Sequence, residues 1–303
     1  MDAIVDGVRL FYLPMGAGGN YPLIVLHGGP GLDHTEMHPW LDPLGDTFRL
    51  LYVDLRGHGR SERVDPATLS LGRYAEDVSL LAAALGLSRY AVLGRSYGAF
   101  IALAHAVERG DASHYVISSG SASMSRSMRE VEDSLARFEP VELREAVTAS
   151  WAREPRVTTP EEVAEVMEQQ MPFHFASVDS DAYRRYTDHE REGRAVYAPE
   201  PLAYAATHEY AIEYEDRLGA IARPTLILSG ATSSNPRATS RPCATSCGGA
   251  YEAVFYFTAP MVSPRTRARC AVQPAMKTGA MATVEAADSL AQKSPSLETK
   301  PVM

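Results

Sequence analysis

Ala91-Val92-Leu93-Gly94-Arg95-Ser96-Tyr97-Gly98-Ala99-Phe100 is the stretch on which the fold turns. A short apolar run ends at Gly94, a G-x-S-x-G pattern follows, and a helix-forming run then extends to Gly110. The reading is strand, sharp bend, helix over residues 96–108, with Gly110 as the stop. A bend this tight leaves no room for side chains beside the serine, which accounts for Gly94 and Gly98. The same geometry lifts the Ser96 hydroxyl to the sheet edge, at the positive end of the following helix. Ser96 is therefore expected to be a nucleophile.

Working outward, further apolar runs bounded by turn residues read as strands. Upstream are Val8-Arg9-Leu10-Phe11-Tyr12-Leu13, Leu23-Ile24-Val25-Leu26 and Leu50-Leu51-Tyr52-Val53; downstream are Tyr115-Val116-Ile117 and Thr225-Leu226-Ile227-Leu228. Unbroken apolar runs suit strands covered on both faces, as in a parallel sheet. Ser70 caps an expected helix whose Tyr74, Val78, Leu81 and Leu85 recur at helical spacing. Alternating strands and helices predict an α/β fold with a mostly parallel sheet. Between residues 121 and 219 the strands stop and charged, helix-forming sequence takes over, with Thr159-Pro160-Glu161-Glu162 as a helix start. Tyr183, Tyr186, Tyr197, Tyr204, Tyr210 and Tyr214 in this region are read as packing residues.

Two more motifs follow strands. His27-Gly28-Gly29-Pro30-Gly31 supplies glycines that let backbone N–H groups approach a nascent oxyanion. Gly29 is expected to give one donor and Tyr97, the residue after the nucleophile, the other. His27 reads as a core histidine that braces the loop. Asp54-Leu55-Arg56-Gly57-His58-Gly59-Arg60-Ser61 reads as a polar turn in which Asp54 pairs with an arginine.

The net charge of -9 argues against nucleic acid as a partner. No run approaches the ~18 uninterrupted apolar residues of a membrane span. Residues 1–13 lack a basic leader segment, so a cytoplasmic location is expected. Cys243 and Cys247 have no partner pair or nearby histidine for a metal, and Gly16, Gly18 and Gly19 do not form a dinucleotide loop.

The three motifs, in this order and spacing, resemble the α/β-hydrolase superfamily. The His-Gly-Gly-Pro-Gly loop and the Asp-x-Arg-Gly-x-Gly-x-Ser turn are similar to the proline iminopeptidase branch; related esterases and lactonases share such loops. The resemblance covers residues 1–230 and implies a core over 1–120, a helical cap over 121–219 and a return to the core over 220–230. It further implies hydrolysis of an amide or ester in a small molecule or short peptide, through an acyl-enzyme and without a cofactor. In the iminopeptidases the substrate carries an N-terminal proline whose amine is held by acidic cap residues. Ala206-Thr207-His208-Glu209 weakly resembles one such stretch and makes Glu209 a candidate amine ligand.

The end of the chain departs from this pattern. Up to Gly230 every Lys/Arg position is Arg and there is no Cys; all three Lys and all three Cys lie beyond it, while all nine His lie before it. The superfamily order is Ser, then Asp or Glu, then His. Ala231-Thr232-Ser233-Ser234-Asn235 offers no carboxylate, and no histidine follows His208, so no triad acid or triad histidine is assigned. Segment 231–303 is expected to be aberrant and disordered, with Val254-Phe255-Tyr256-Phe257 at best a chance strand and apolar sheet edge left prone to aggregation. Translation out of frame after Gly230 would join the composition break to the missing partners, and sequencing the gene there tests it. The alternatives are an esterase or lactonase, or a non-catalytic binding module on the same fold; His174 or His208 as a substitute base would need hydrogen-bond reach of the serine.

Overall fold

The computed structural model describes residues 1–17, 19, 21–175, 177–208, 212–228 and 251–252. Among the described residues, eight strands form one sheet in the order β1-β2-β4-β3-β5-β6-β7-β8. Their ranges are β1 Asp2–Val5, β2 Val8–Met15, β3 Tyr21–Leu26, β4 Phe48–Val53, β5 Ala91–Arg95, β6 His114–Ser118, β7 Thr225–Leu228 and β8 Tyr251–Glu252. The β1–β2 and β2–β4 pairs are antiparallel. From β4 across to β8 every pair is parallel. The expected α/β architecture with a mostly parallel sheet is what is found. β1 and the two-residue β8 were not separated out from sequence, and 254–257 lie outside the described residues, as does Glu209.

The unbroken apolar runs are explained by burial on two faces. Ile24 and Leu26 of β3 join Leu51, Val53 and Val92 in one core with helices α1 (Leu71–Ala84) and α2 (Tyr97–Glu108). Their neighbours Leu23 and Val25 point the other way and pack with Leu50, Tyr52, Leu93, Met37 and Leu41. Ser70 caps α1 by accepting from the Arg73 N–H, as its position predicts.

Between β6 and β7 lie α3 (Met124–Leu135), α4 (Val141–Trp151), α5 (Pro160–Gln170), α6 (Asp181–Arg191) and α7 (Pro199–Thr207). Thr159 and Glu162 form a reciprocal capping box at the start of α5. This segment has a small core of its own in Val157, Val163, Val166, Met167 and Leu202, with Leu32 from the glycine loop packed against it. Among the described residues no helix is long and apolar enough to cross a membrane.

Candidate active site

Parallel register brings the motifs together. Leu26 of β3 pairs with both Val53 of β4 and Gly94 of β5. The segments that follow these residues, at 27–31, 54–61 and 95–98, therefore leave the sheet side by side at its carboxyl edge, where ligands bind in open α/β sheets.

The bend after β5 has the expected form, with one refinement: α2 begins at Tyr97, and Ser96 sits outside it at φ 51 and ψ -115. Positive φ in a residue other than glycine is a strained backbone that surrounding contacts must hold. The Ser96 N–H donates to Ser118 O at 2.9 Å, and its carbonyl accepts from Ala99 N at 2.9 Å. A Cβ on Gly94 would lie 2.0 Å from Gly98 O, and one on Gly98 would lie 2.3 Å from Leu26 O and 2.6 Å from His27 O. Both glycines are obligatory, the second because the bend is pressed against the start of the glycine loop.

In that loop Gly29 (φ 116) and Gly31 (φ 90) hold backbone conformations that favour glycine. The Gly28 N–H is already engaged, donating to Glu36 Oε2 at 3.0 Å. The Gly29 N–H has no acceptor among the described residues. Tyr97 opens α2, so its N–H belongs to the positive end of the helix dipole. Pro30 follows Gly29 in the same partly exposed turn.

His27 is a bracing residue. Its ring is 1 % exposed, and its Nδ1–H donates to Gly28 O at 2.7 Å while Nε2 accepts the Leu55 N–H at 3.2 Å. Both nitrogens are committed to backbone, and burial pushes its pKa down. His58 packs against it at 5.4 Å between ring centroids, donates from Nδ1 to Arg56 O at 2.9 Å, and is pushed by burial to a pKa of about 3.

This has a pH consequence. An unfolded histidine takes up its proton near pH 6.5, whereas folded His58 resists doing so until about pH 3. The unfolded state binds more protons in that window. The stability is present above pH 6.5 and lost as pH falls towards 3, at ~1.4 kcal/mol per pH unit for each such histidine. The midpoint of thermal unfolding is expected to drop steeply from pH 7 to pH 5, and His58→Phe to flatten that drop. A pH-independent midpoint over this range would contradict the assignment.

Asp54 does not pair with an arginine side chain, contrary to the reading of the turn. It accepts from His34 N at 2.8 Å, His34 Nδ1 at 2.7 Å and Arg60 N at 2.7 Å. Burial alone would raise its pKa, but the His34 hydrogen bond and charge hold the carboxyl below the usual range. The Arg60 guanidinium goes to Asp33 instead, at 2.9 Å. Asp33, His34 and Asp54 lie close enough to share an ion. Their carboxylate oxygens and the His34 Nδ1 are nevertheless occupied by one another and by Thr35, Arg60 and Val196. Asp33 also links the glycine loop to the strand-free region, since Val196 N donates to it at 2.9 Å and Ala198 N donates to Gly31 O at 2.9 Å.

Two residues of the site went unread in the sequence. Glu36 forms an ion pair with Arg95 Nη1 as it accepts the Gly28 N–H. Arg95 occupies the unconstrained x of G-x-S-x-G, and nothing local marks Glu36. His174 and Tyr186 stand within electrostatic reach of Arg95. Desolvation by the surrounding protein, with the Arg95 charge, lowers the pKa of His174 to about 4. Of the described tyrosines, Tyr214 is buried with its hydroxyl on Glu108, Tyr197 donates to Glu190 and Tyr204 stacks on His208, as packing residues would; Tyr210 lies outside the described residues.

Ser96 Oγ makes no hydrogen bond among the described residues, which include all nine histidines. His174 reaches the neighbourhood of the bend without contacting Ser96, and His208 is spent on Tyr204 and Thr207. The strained serine between strand and helix, beside a glycine loop at the carboxyl edge of a parallel sheet, defines a protein class. Residues 21–234 match the alpha/beta hydrolase fold family, and the chain belongs to that family.

Within it, the chain is 36% identical over 103 residues to a proline iminopeptidase of Xylella fastidiosa, a match covering 33% of this chain and 32% of that protein. It is 33% identical over 113 residues to a soluble epoxide hydrolase of a Corynebacterium species, covering 36% and 37% respectively. The match thus spans about a third of the length of these curated relatives. The crystal structure of proline iminopeptidase from Mycobacterium smegmatis superposes with a TM-score of 0.63 at 21% identity, covering 86% of this chain and 91% of that one. That likeness concerns the fold.

Proposed function

We propose that this chain is a serine hydrolase framework that acts on amide or ester bonds through an acyl-enzyme, most like an aminopeptidase that releases N-terminal proline. The observation that carries this reading is Ser96 held at φ 51 in a bend pressed against the start of the glycine loop, whose Gly29 N–H has no acceptor among the described residues. In the proposed reaction Ser96 Oγ attacks the carbonyl carbon and its proton passes to a base. The oxygen takes the negative charge, facing the N–H groups of Gly29 and Tyr97. Collapse expels the amine or alcohol, which carries away the proton, and water then hydrolyses the acyl-serine. No cofactor enters. The helical segment at 121–219 serves as the cap that chooses the substrate, and the prolyl preference rests on the loop motifs and the iminopeptidase relatives.

The base is what the chain lacks at the expected place, since no histidine follows His208. Removing the imidazole from a serine triad costs several orders of magnitude in rate, leaving what the oxyanion donors and binding supply. Treatment with a fluorophosphonate is therefore expected to label this protein slowly, at Ser96 alone, with Ser96→Ala unlabelled. Labelling elsewhere would overturn the assignment of the nucleophile. The absent histidine favours a second reading, a binding module on the hydrolase fold; complete failure of Ser96 to label, in a chain shown to be folded, selects it.

A further inference from the structure

We infer that Arg95, the residue before Ser96, is a receptor for a carboxylate carried by the substrate. This rests on Ser96 being the reacting group only for its role in catalysis; the anion site stands on Arg95 itself. Arg95 immediately precedes Ser96, and its side chain turns back over the glycine loop, with Nη1 3.5 Å from where a Cβ on Gly28 would stand. Glu36 holds it through that same Nη1. Glu36 is itself only 10% exposed and is anchored by the Gly28 N–H, so the guanidinium is fixed and cannot swing out to solvent with it. About a third of the Arg95 side chain (32%) remains exposed. Its Nε and Nη2 donors have no acceptor among the described residues.

A guanidinium edge with two parallel N–H donors matches a carboxylate in a way that a neutral amide or an ammonium does not. Apart from Glu36 on Nη1, the neighbours do not compete for it: Tyr186 is a phenol whose pKa burial raises, and His174, at about 4, is neutral at pH 7. The substrate class is therefore a small molecule with a carboxylate close to the scissile bond. On the peptide reading this means a dipeptide with a free C-terminus in preference to its amide.

Succinate and succinamide, alike in size and different in charge, are suitable probes, with binding measured calorimetrically on the full chain. Succinate is expected to bind about tenfold or more tighter than succinamide, in line with a charge-assisted contact. Arg95→Gln should remove that difference, and Arg95→Lys should keep part of it. Glu36→Gln should tighten succinate several-fold by removing the resident competitor, a gain that loss of loop support would not produce. Prolylglycine should likewise exceed prolylglycinamide. If Arg95→Gln fails to fold, the opposite signs expected of Glu36→Gln and Arg95→Lys still decide. Equal binding of succinate and succinamide, no measurable binding of either, or an Arg95→Gln protein that keeps the preference, overturns the inference. Ser96 labelling separates it from the hydrolase reading. A chain that labels but ignores the carboxylate keeps the hydrolase alone, and one that binds succinate through Arg95 and never labels keeps the anion site alone.

Discussion

Gly98→Ala is expected to destabilise the protein by more than ~3 kcal/mol, enough to abolish folding of a marginal domain. The added methyl would stand 2.3 Å from Leu26 O and 2.6 Å from His27 O. Those atoms are backbone at the end of a central strand, so they cannot rotate away as a flexible side chain would. Relief requires moving β3 or unwinding the first turn of α2, and either breaks the bend that exposes Ser96. Gly86→Ala is the control. Gly86 also has positive φ (+65), but nothing lies within 4 Å of its added methyl, so only the backbone penalty of ~1 kcal/mol applies. Urea denaturation of the two variants measures the contrast. A Gly98→Ala protein as stable as Gly86→Ala would mean that the strand and the bend are not packed as described.

The largest gain is expected from a chimera. Replacing everything after Leu228 with the corresponding segment of a proline iminopeptidase should raise kcat/KM on a prolyl anilide or a short acyl ester by on the order of 10⁴-fold or more. The reason is positional. β7 pairs in parallel with β6, with Leu228 opposite Ser118, and Ser118 O is the atom that accepts the Ser96 N–H. The Ser119 N–H in turn donates to Leu228 O at 2.8 Å. A chain leaving Leu228 therefore emerges at the carboxyl edge beside the bend, where an acid and then an imidazole would need to arise. Ser96→Ala in the chimera should return the rate to background. A folded chimera no faster than its Ser96→Ala form would end the proposal that this framework supports acyl-enzyme chemistry. Comparing the anilide with the ester in the same assay also separates a peptidase from an esterase.

Some of this site could be read locally. Gly94 and Gly98 are demanded by clashes within a few residues or with the adjoining strand, and the strand-turn-helix pattern announces them. Ser70 and Thr159 cap their helices through contacts three residues away, which a linear reading can follow. His27 could be read as a brace because its place after a buried strand leaves it little solvent. The pairing of Asp54 is not legible locally, because its partner, His34, lies on a different loop, and the nearer Arg60 contributes its backbone N–H to Asp54 while its charge goes to Asp33.

What the linear order of residues dictated was the alternation of buried strands and helices, the bend at Ser96 and the glycine loop, because each follows from short-range sterics and hydrophobic period. What folding alone decided was which charges meet at that bend. Glu36, in the turn after the glycine loop, and Arg95, at the end of β5, share no periodicity, so only the register that sets β3 beside β5 brings them over Gly28. That meeting places a cation held by Glu36 beside the bend at Ser96, and it follows from three-dimensional packing because Coulomb attraction and hydrogen bonding depend on distance in space and are blind to distance along the chain.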